Sequence, residues 1–436
     1  VIRQLDGTEE KTSFGRGKIL KKQEKGNMKE ESGIKLYGYR WVILAVFALI
    51  TILIEIQWVA HASIAREARA FYNVEQGMID LLAVVYMAVF LLLCFPASHI
   101  IEKYGIRVGI GIGAVLTGVF GLMKGFYAAD YTMVLIAQIG LAVAQPFILN
   151  ATTKVAVRWF PINERATAVG VATLAQFIAF IIVMLATPRL IAGEGGEVLI
   201  EKTMMLYGIL SAAAAVITLV LLKERPATPP SHEEEEDRFM FREGVRNLFK
   251  QKDYVKTLAI FFIGLGMFNA IVSLIDPINE MKGISMMQSG YIMAAMMGSG
   301  IVGALILPLV SDKLRKRKSI LLFSMLLMLP GLVGMTLAGS YTSMLVFSTI
   351  FGFFLLGGAA PVGFQYAAEI SFPTPESTSQ GFILWAGQIS GMLFVIGMDS
   401  VGIQEFMYGF IGLSVVILLL ILGMKESPMI QQSGKE

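Results

Sequence analysis

The sequence predicts an all-α membrane protein with twelve transmembrane helices in two pseudo-symmetric six-helix bundles. Three observations carry that expectation. Hydrophobic residues make up 55% of the 436 and charged residues only 16%, against about a quarter charged in soluble globular chains. Twelve apolar runs each approach the roughly 20 residues needed to cross a hydrocarbon core. A carboxylate–basic turn also occurs twice, 210 positions apart. It reads Glu102-Lys103-Tyr104-Gly105-Ile106-Arg107 and then Asp312-Lys313-Leu314-Arg315-Lys316-Arg317.

Residues 1–36 are polar and basic without an apolar signal-peptide core. They read as a cytoplasmic tail, either disordered or upstream of a native start at Met28. The N-terminal bundle covers 37–222, with apolar runs near 41–62, 78–100, 107–126, 131–154, 165–188 and 203–222. Residues 223–255 form a hydrophilic linker. In it, Pro226, Pro229 and Pro230 precede an acidic run from Glu233 to Asp237, and then apolar and basic residues alternate at helical spacing from Arg238 to Phe249. That pattern suits an amphipathic helix on the membrane surface. The C-terminal bundle covers 256–424, with runs near 257–279, 286–310, 319–338, 342–368, 378–398 and 402–423, and residues 425–436 form a second tail.

Basic residues in short loops set orientation. Lys35, Arg40, Lys103, Arg107, Lys154, Arg158, Arg165, the linker and Lys313 to Lys318 fall on one side. Arg66, Arg69, Lys124, Arg189, Lys202 and Lys282 fall on the other. The first side is richer, so both termini are expected in the cytoplasm, with the protein in the plasma membrane. The loop at 369–377, which has no Lys or Arg, is a local exception.

Several function classes are set aside. Cys94 is the single cysteine, and His61, His99 and His232 lack metal-ligand spacing. No nucleophile–base pair or phosphate loop stands out, so neither enzyme activity, metal nor cofactor is expected. A net charge of +3 is too small to imply nucleic acid. Gly298-Ser299-Gly300-Ile301-Val302-Gly303 fits a dinucleotide fingerprint but lies within an apolar run without the required strand. It reads as close helix packing.

A second repeat sharpens the site. Phe160-Pro161-Ile162-Asn163-Glu164 recurs as Phe372-Pro373-Thr374-Pro375-Glu376, and a glutamine follows 15 residues after Pro161 and Pro373, as Gln176 and Gln388. Gln176 lies 12 residues beyond Glu164, roughly 18 Å along a helix. Two amides at matching depth fit a site on a pseudo-two-fold axis, with hydrogen-bonded helix packing as the alternative. An offset of 211 carries Trp58 onto Asn269 and Gln57 onto Phe268. An indole face can hold an ammonium group through cation–π attraction. Glu55 lies between two isoleucines, and an ionisable group within a span is a functional candidate. It reads as a proton-coupling group, a partner for a cationic solute, or a buried acid. His61 lies nearby, whereas Asp276, just before Pro277, reads as solvated or capping.

These residues resemble the major facilitator superfamily. Its motif after the second span is G-x-x-x-D-[RK]-x-G-[RK]-[RK]. Here Ser98 replaces the first glycine, Glu102 the aspartate and Ile106 the first basic residue, while Lys103, Gly105 and Arg107 match. In the second copy Asp312 and Lys313 match and Arg315 replaces glycine. Phe95-Pro96-Ala97-Ser98, Ala144-Gln145-Pro146-Phe147-Ile148, Trp159-Phe160-Pro161, Pro361-Val362-Gly363-Phe364 and Ala386-Gly387-Gln388-Ile389 resemble the FLVCR-type branch of haem and choline transporters. The likeness covers nearly all of 37–424. It implies the major facilitator fold, a cavity lined by Gln57, Trp58, Gln176 and Gln388, and a cytoplasmic gate of Glu102, Lys103, Gly105, Arg107, Asp312 and Lys313. This chain departs from the choline carriers in having Asn269 in place of a tyrosine, and in carrying Glu55 where they lack an acid.

The expected function is secondary active or facilitative transport of a small organic solute by rocker-switch alternating access. Amines and quaternary ammonium compounds such as choline are the class the resemblance points to. The protein is expected to act as a monomer in the lipid bilayer. The alternatives are a proton-coupled multidrug exporter, a haem exporter, and a non-transporting membrane receptor that kept the fold.

Overall fold

The structure is a computed structural model that describes residues 36–193, 199–228, 230, 241–372, 374 and 376–427. The polar tail up to residue 35, the acidic run, and Pro373 and Pro375 of the second repeat lie outside them.

The N-terminal half comprises α1 (Tyr39–Val59), α2 (Ala65–Tyr72), α3 (Gln76–Tyr104), α4 (Ile106–Phe126), α5 (Tyr131–Leu149), α6 (Thr152–Trp159), α7 (Ile162–Ile191) and α8 (Ile200–Leu221). The linker contributes α9 (Phe241–Lys250). The C-terminal half comprises α10 (Lys252–Ser273), α11 (Ile275–Glu280), α12 (Met286–Leu314), α13 (Arg317–Leu337), α14 (Tyr341–Phe354), α15 (Ala360–Ser371), α16 (Glu376–Val401) and α17 (Ile403–Leu422). Twelve of the resulting segments are long and apolar enough to cross a membrane. An even number of crossings puts both chain ends on one side, the tail side; the opposite is the far side.

Helices dominate because hydrocarbon offers no partner for backbone groups. Their ends fall where the sequence supplies caps. Asp130 accepts from the amides of Thr132 and Met133 at the start of α5. Ser285 with Gln288 and Ser340 with Ser343 form capping boxes on α12 and α14. Gly105 ends α3 at φ +91°, and Arg315 ends α12 at φ +53°. These positions are 210 apart and share a positive φ, but Gly105, at ψ 173°, lies in a region open essentially to glycine, whereas Arg315, at ψ 43°, lies in the left-handed helical region.

Two pairs of spans are interrupted in register. The expected helix 41–62 stops at Val59, followed by a 3₁₀ turn at Ala62–Ile64 and then α2. Its counterpart 257–279 stops at Ser273 and restarts as α11. The fourth span breaks at Asn150 between α5 and α6, while the tenth carries a buried π turn at Leu355–Ala359 between α14 and α15.

The halves meet along α3 with α16 and α7 with α12, two contacts related by the pseudo-two-fold. On the far side α2 also packs on α11. Small residues set the closest approaches within each half. Gly303 of α12 abuts Gly357 of the π turn, and Gly208 of α8 abuts Gly121 of α4. At Gly352 of α14 an added Cβ would run into the Met296 carbonyl of α12. Gly352→Val should therefore cost about 1–3 kcal/mol through overpacking. It should lower the thermal midpoint of detergent-purified protein, whereas Gly298→Ala, with nothing within 4 Å of its Cβ, should leave it unchanged.

Candidate functional site

The centre of the molecule is built where the two broken spans face each other. Trp58 occupies the last turn of α1. Its Nε1 donates to the Ala83 carbonyl at 3.2 Å, which fixes the ring on α3. Tyr86 stacks on it with centroids 6.1 Å apart, and Phe180 of α7 meets its edge at 5.9 Å. Phe180 in turn contacts Phe268 of α10 at 6.4 Å. An aromatic row thus crosses from one half to the other. Asn269 stands where the choline carriers have a tyrosine; the structure instead puts Phe180 beside the indole and Phe268 beyond it.

Asn269 donates from Nδ2 to the Gly387 carbonyl at 3.3 Å. It also lies against Gly391, where a Cβ would come 2.8 Å from the Asn269 Cβ and 3.1 Å from the Met87 sulfur. Gln388 is one residue beyond Gly387 on α16, and Gln176 is on α7. Both are half-buried, and among the described residues neither has a hydrogen-bond partner. Packing amides would have found one. On the tail side of Gln388, Trp385 Nε1 donates across the halves to the Leu91 carbonyl at 3.3 Å.

The structure takes other expected contacts out of this centre. Gln57 is fully buried and points into the N-terminal half, where Nε2 donates to Ser211 Oγ at 3.0 Å. One residue along a helix turns a side chain by about 100°, so Gln57 and Trp58 cannot share a wall. Glu55 is also turned inward. Gln145 Nε2 donates to its Oε1 at 3.5 Å, while Oε2 and the Tyr86 hydroxyl lack partners among the described residues. His61 is buried; burial, and secondarily the charge of Lys124, hold its pKa well below the usual histidine value. It is neutral, with Nε2 3.3 Å from the Tyr72 hydroxyl.

The far-side closure was missed by the sequence reading. Asp276 is fully buried rather than solvated. Arg66 donates to it from Nη2 at 2.6 Å, from Nε at 3.1 Å and from its backbone amide at 3.2 Å, and caps the Ile284 carbonyl from Nη1 at 3.1 Å. Arg69 pairs with Glu280 at 3.0 Å beside it, at a half-exposed site where a pair contributes little. The separations of the two pairs are 210 and 211 residues. They equal the repeat offset, so equivalent positions of the two halves meet on the axis with opposite charge. Applying that offset to charged residues would have found both.

At the tail side, Glu102 and Asp312 are each paired within their own half, and among the described residues no expected gate residue makes an ion pair between the halves. Glu102 pairs with Lys154 at 2.8 Å, and Asp312 with Arg317 at 2.5 Å. Arg317 also binds Glu369 at 3.1 Å. The Arg107 amide donates to Glu224 at 2.8 Å, over Gly105, and Lys103 lies over the Tyr104 ring. Lys313 is exposed. Among the described residues, the ion pairs that join the two halves all lie on the far side.

Removing one partner of a buried, hydrogen-bonded pair leaves the other uncompensated, a loss of about 3–5 kcal/mol. Arg66→Ala and Asp276→Ala should each expose the far-side face of the centre, read as faster labelling of a cysteine introduced at Gln76. The swapped double variant Arg66→Asp/Asp276→Arg should recover part of the protection. Burial raises the Asp276 pKa above its ordinary 3.8, outweighing the opposing hydrogen bonds and charge of Arg66. The closed state therefore holds the Asp276 proton more tightly than an open, hydrated one. Closure is favoured below the ordinary value and loses that advantage as pH rises through the raised one. The same labelling should slow as pH falls across that window.

A family profile described as Major Facilitator Superfamily matches residues 36–395. The chain is 28% identical over 383 residues to the choline/ethanolamine transporter FLVCR1 of Felis catus, covering 84% of this chain and 68% of the relative. It is 25% identical over 385 residues to solute carrier family 49 member A3 of Xenopus tropicalis, covering 83% and 78%. Among solved structures, a bacterial homologue of the human lysosomal transporter Spinster, described as inward-facing and unoccupied, superposes with a TM-score of 0.67. That match has 15% identity and covers 89% of this chain and 97% of the other. The fold, the two-half repeat and the profile converge: the chain belongs to the major facilitator superfamily and is a membrane transporter that works by alternating access.

Proposed function

We propose that this transporter carries a small amine or quaternary ammonium solute, of the choline and ethanolamine class, at the centre between its halves. The observation that carries the proposal is Trp58 in an aromatic row that crosses between the halves, together with two half-buried amides, Gln176 on α7 and Gln388 on α16, that have no hydrogen-bond partner among the described residues. An indole face attracts an ammonium group, by about 2 kcal/mol when desolvated. The amides and Asn269 are suited to a hydroxyl or an N–H at the other end of the solute. The name of the Felis catus relative points to the same class.

Glu55 serves here as a proton-holding group behind the wall rather than as a direct contact. It is 1% exposed, and an unpaired buried carboxylate costs far more than a carboxylic acid. The tail side is the cytoplasmic face, on the distribution of Lys and Arg; the membrane proposed is the plasma membrane, and the working unit the monomer. Glu102 and Asp312 exchange their present partners for contacts between the halves when the tail side closes.

Radiolabelled choline uptake into proteoliposomes tests the solute class. Trp58→Ala and Gln388→Ala should each reduce uptake at least about tenfold, the factor that 1.4 kcal/mol represents. Glu55→Gln should keep choline binding and flatten the pH dependence of uptake. Choline uptake that is indifferent to Trp58→Ala, or none at all beside robust uptake of a neutral or anionic solute, would defeat the cation reading and leave the fold assignment intact.

A further inference from the structure

Lys124 lies two residues before the end of α4, next to the exposed Phe126 and Tyr127. A lysine there could reach water along its flexible stem. It turns inward instead and is fully buried. Among the described residues it has no carboxylate partner. Its Nζ donates to the Gln57 carbonyl at 2.9 Å.

That carbonyl belongs to the last turn of α1, whose final carbonyls have no intrahelical donors because the helix stops. Gln138 Nε2 also reaches the Gln57 carbonyl at 3.3 Å, together with those of Trp58 at 3.2 Å and Leu82 at 3.0 Å. Three more acceptors at this broken end find no donor among the described residues: Gln57 Oε1, Gln138 Oε1 and His61 Nδ1. The histidine tautomer follows from its neighbour. The Tyr72 hydroxyl donates to the Ala128 carbonyl at 2.7 Å, so it accepts from His61 Nε2 and leaves Nδ1 a bare lone pair. Acceptors gathered at the negative end of a helix favour a cation. Broken helices in carriers use such ends to hold coupling ions.

We propose that this end of α1 is a monovalent-cation site and that the Lys124 ammonium is a tethered cation filling it in place of a free ion. The site clamps a joint. Trp58 lies in the turn before the break, and Arg66 of the far-side closure lies in the helix that follows it. The tether holds the joint without drawing on sodium or potassium. This inference rests on the fold and not on the solute class.

The test uses full-length protein carrying Gln388→Ala, so that solute binding at the centre does not contribute. Its thermal midpoint is compared with that of Lys124→Ala/Gln388→Ala in N-methylglucamine chloride, alone and with sodium, potassium, ethylammonium or tetramethylammonium chloride. The parent should be indifferent to the added cation. The Lys124→Ala form should melt several degrees lower, and sodium or ethylammonium should restore at least half of that loss. Tetramethylammonium has no N–H to donate and should restore none. Equal midpoints in N-methylglucamine, a loss that no small cation repairs, or equal repair by all four would overturn the proposal. If Lys124→Ala does not purify, Lys124→Met decides. It keeps the stem without the charge, so a midpoint at or above the parent's overturns the tether, and a lower one upholds it.

Discussion

The ion pair between Arg66 and Asp276 is the contact around which the two halves are organised. It is buried and uses the guanidinium, the Arg66 amide and the Ile284 carbonyl together. It also lies where the pseudo-two-fold axis leaves the far side. A residue on such an axis meets its own counterpart, so an exact duplication would bring like charges together. Opposite charges at positions 210 apart turn that repulsion into a closure. Burial works against the pair by raising the Asp276 pKa despite Arg66. A contact in which desolvation and attraction nearly balance can hold one state and still release it.

The second organising constraint is the interruption of the first and seventh spans. A straight helix would satisfy its own backbone throughout the hydrocarbon, whereas a break leaves carbonyls that protein must cover. In the N-terminal half, Gln138 and Lys124 cover them, and the indole of Trp58 is fixed to Ala83 in the same turn. In the C-terminal half, the equivalent stretch presents Phe268 and Asn269. The breaks therefore do two jobs: they place the central side chains and they redirect α2 and α11 into the closure. The proposed solute contact at Trp58 and the far-side closure are separated by a single joint. Binding energy at the centre can bias the closure only through its difference between the two states, and this joint is short enough to carry it.

The tail side shows the complementary arrangement. Glu102 and Asp312 are paired within their own halves, and the Arg107 amide donates to Glu224 at the start of the linker. Local pairs keep Glu102 and Asp312 satisfied while, among the described residues, no ion pair joins the halves on the tail side. In the proposed cycle the carrier alternates by exchanging one set of partners for another rather than by exposing bare charge. Arg315, at the position equivalent to Gly105, shares its positive φ but not its ψ, so the two turns leave their helices along different backbone paths.

The sequence by itself determined the twelve apolar spans, their division into two halves and the matching positions of Gln176 and Gln388 in the repeat. These depend on hydropathy, periodicity and repeat spacing, which are written along the chain. It also identified Trp58 and Asn269 as equivalent positions. It did not separate Gln57 from Trp58, because the direction of a side chain depends on which neighbours surround a helix. It counted Lys124 as a loop cation and Asp276 as solvated, because burial at a helix end is a property of packing. Arg66 with Asp276, and Lys124 with the end of α1, join residues distant in sequence through a fold that brings broken helices together. Only the tertiary structure decided them, since a charge acquires its partner, and its energetic worth, from what surrounds it in space.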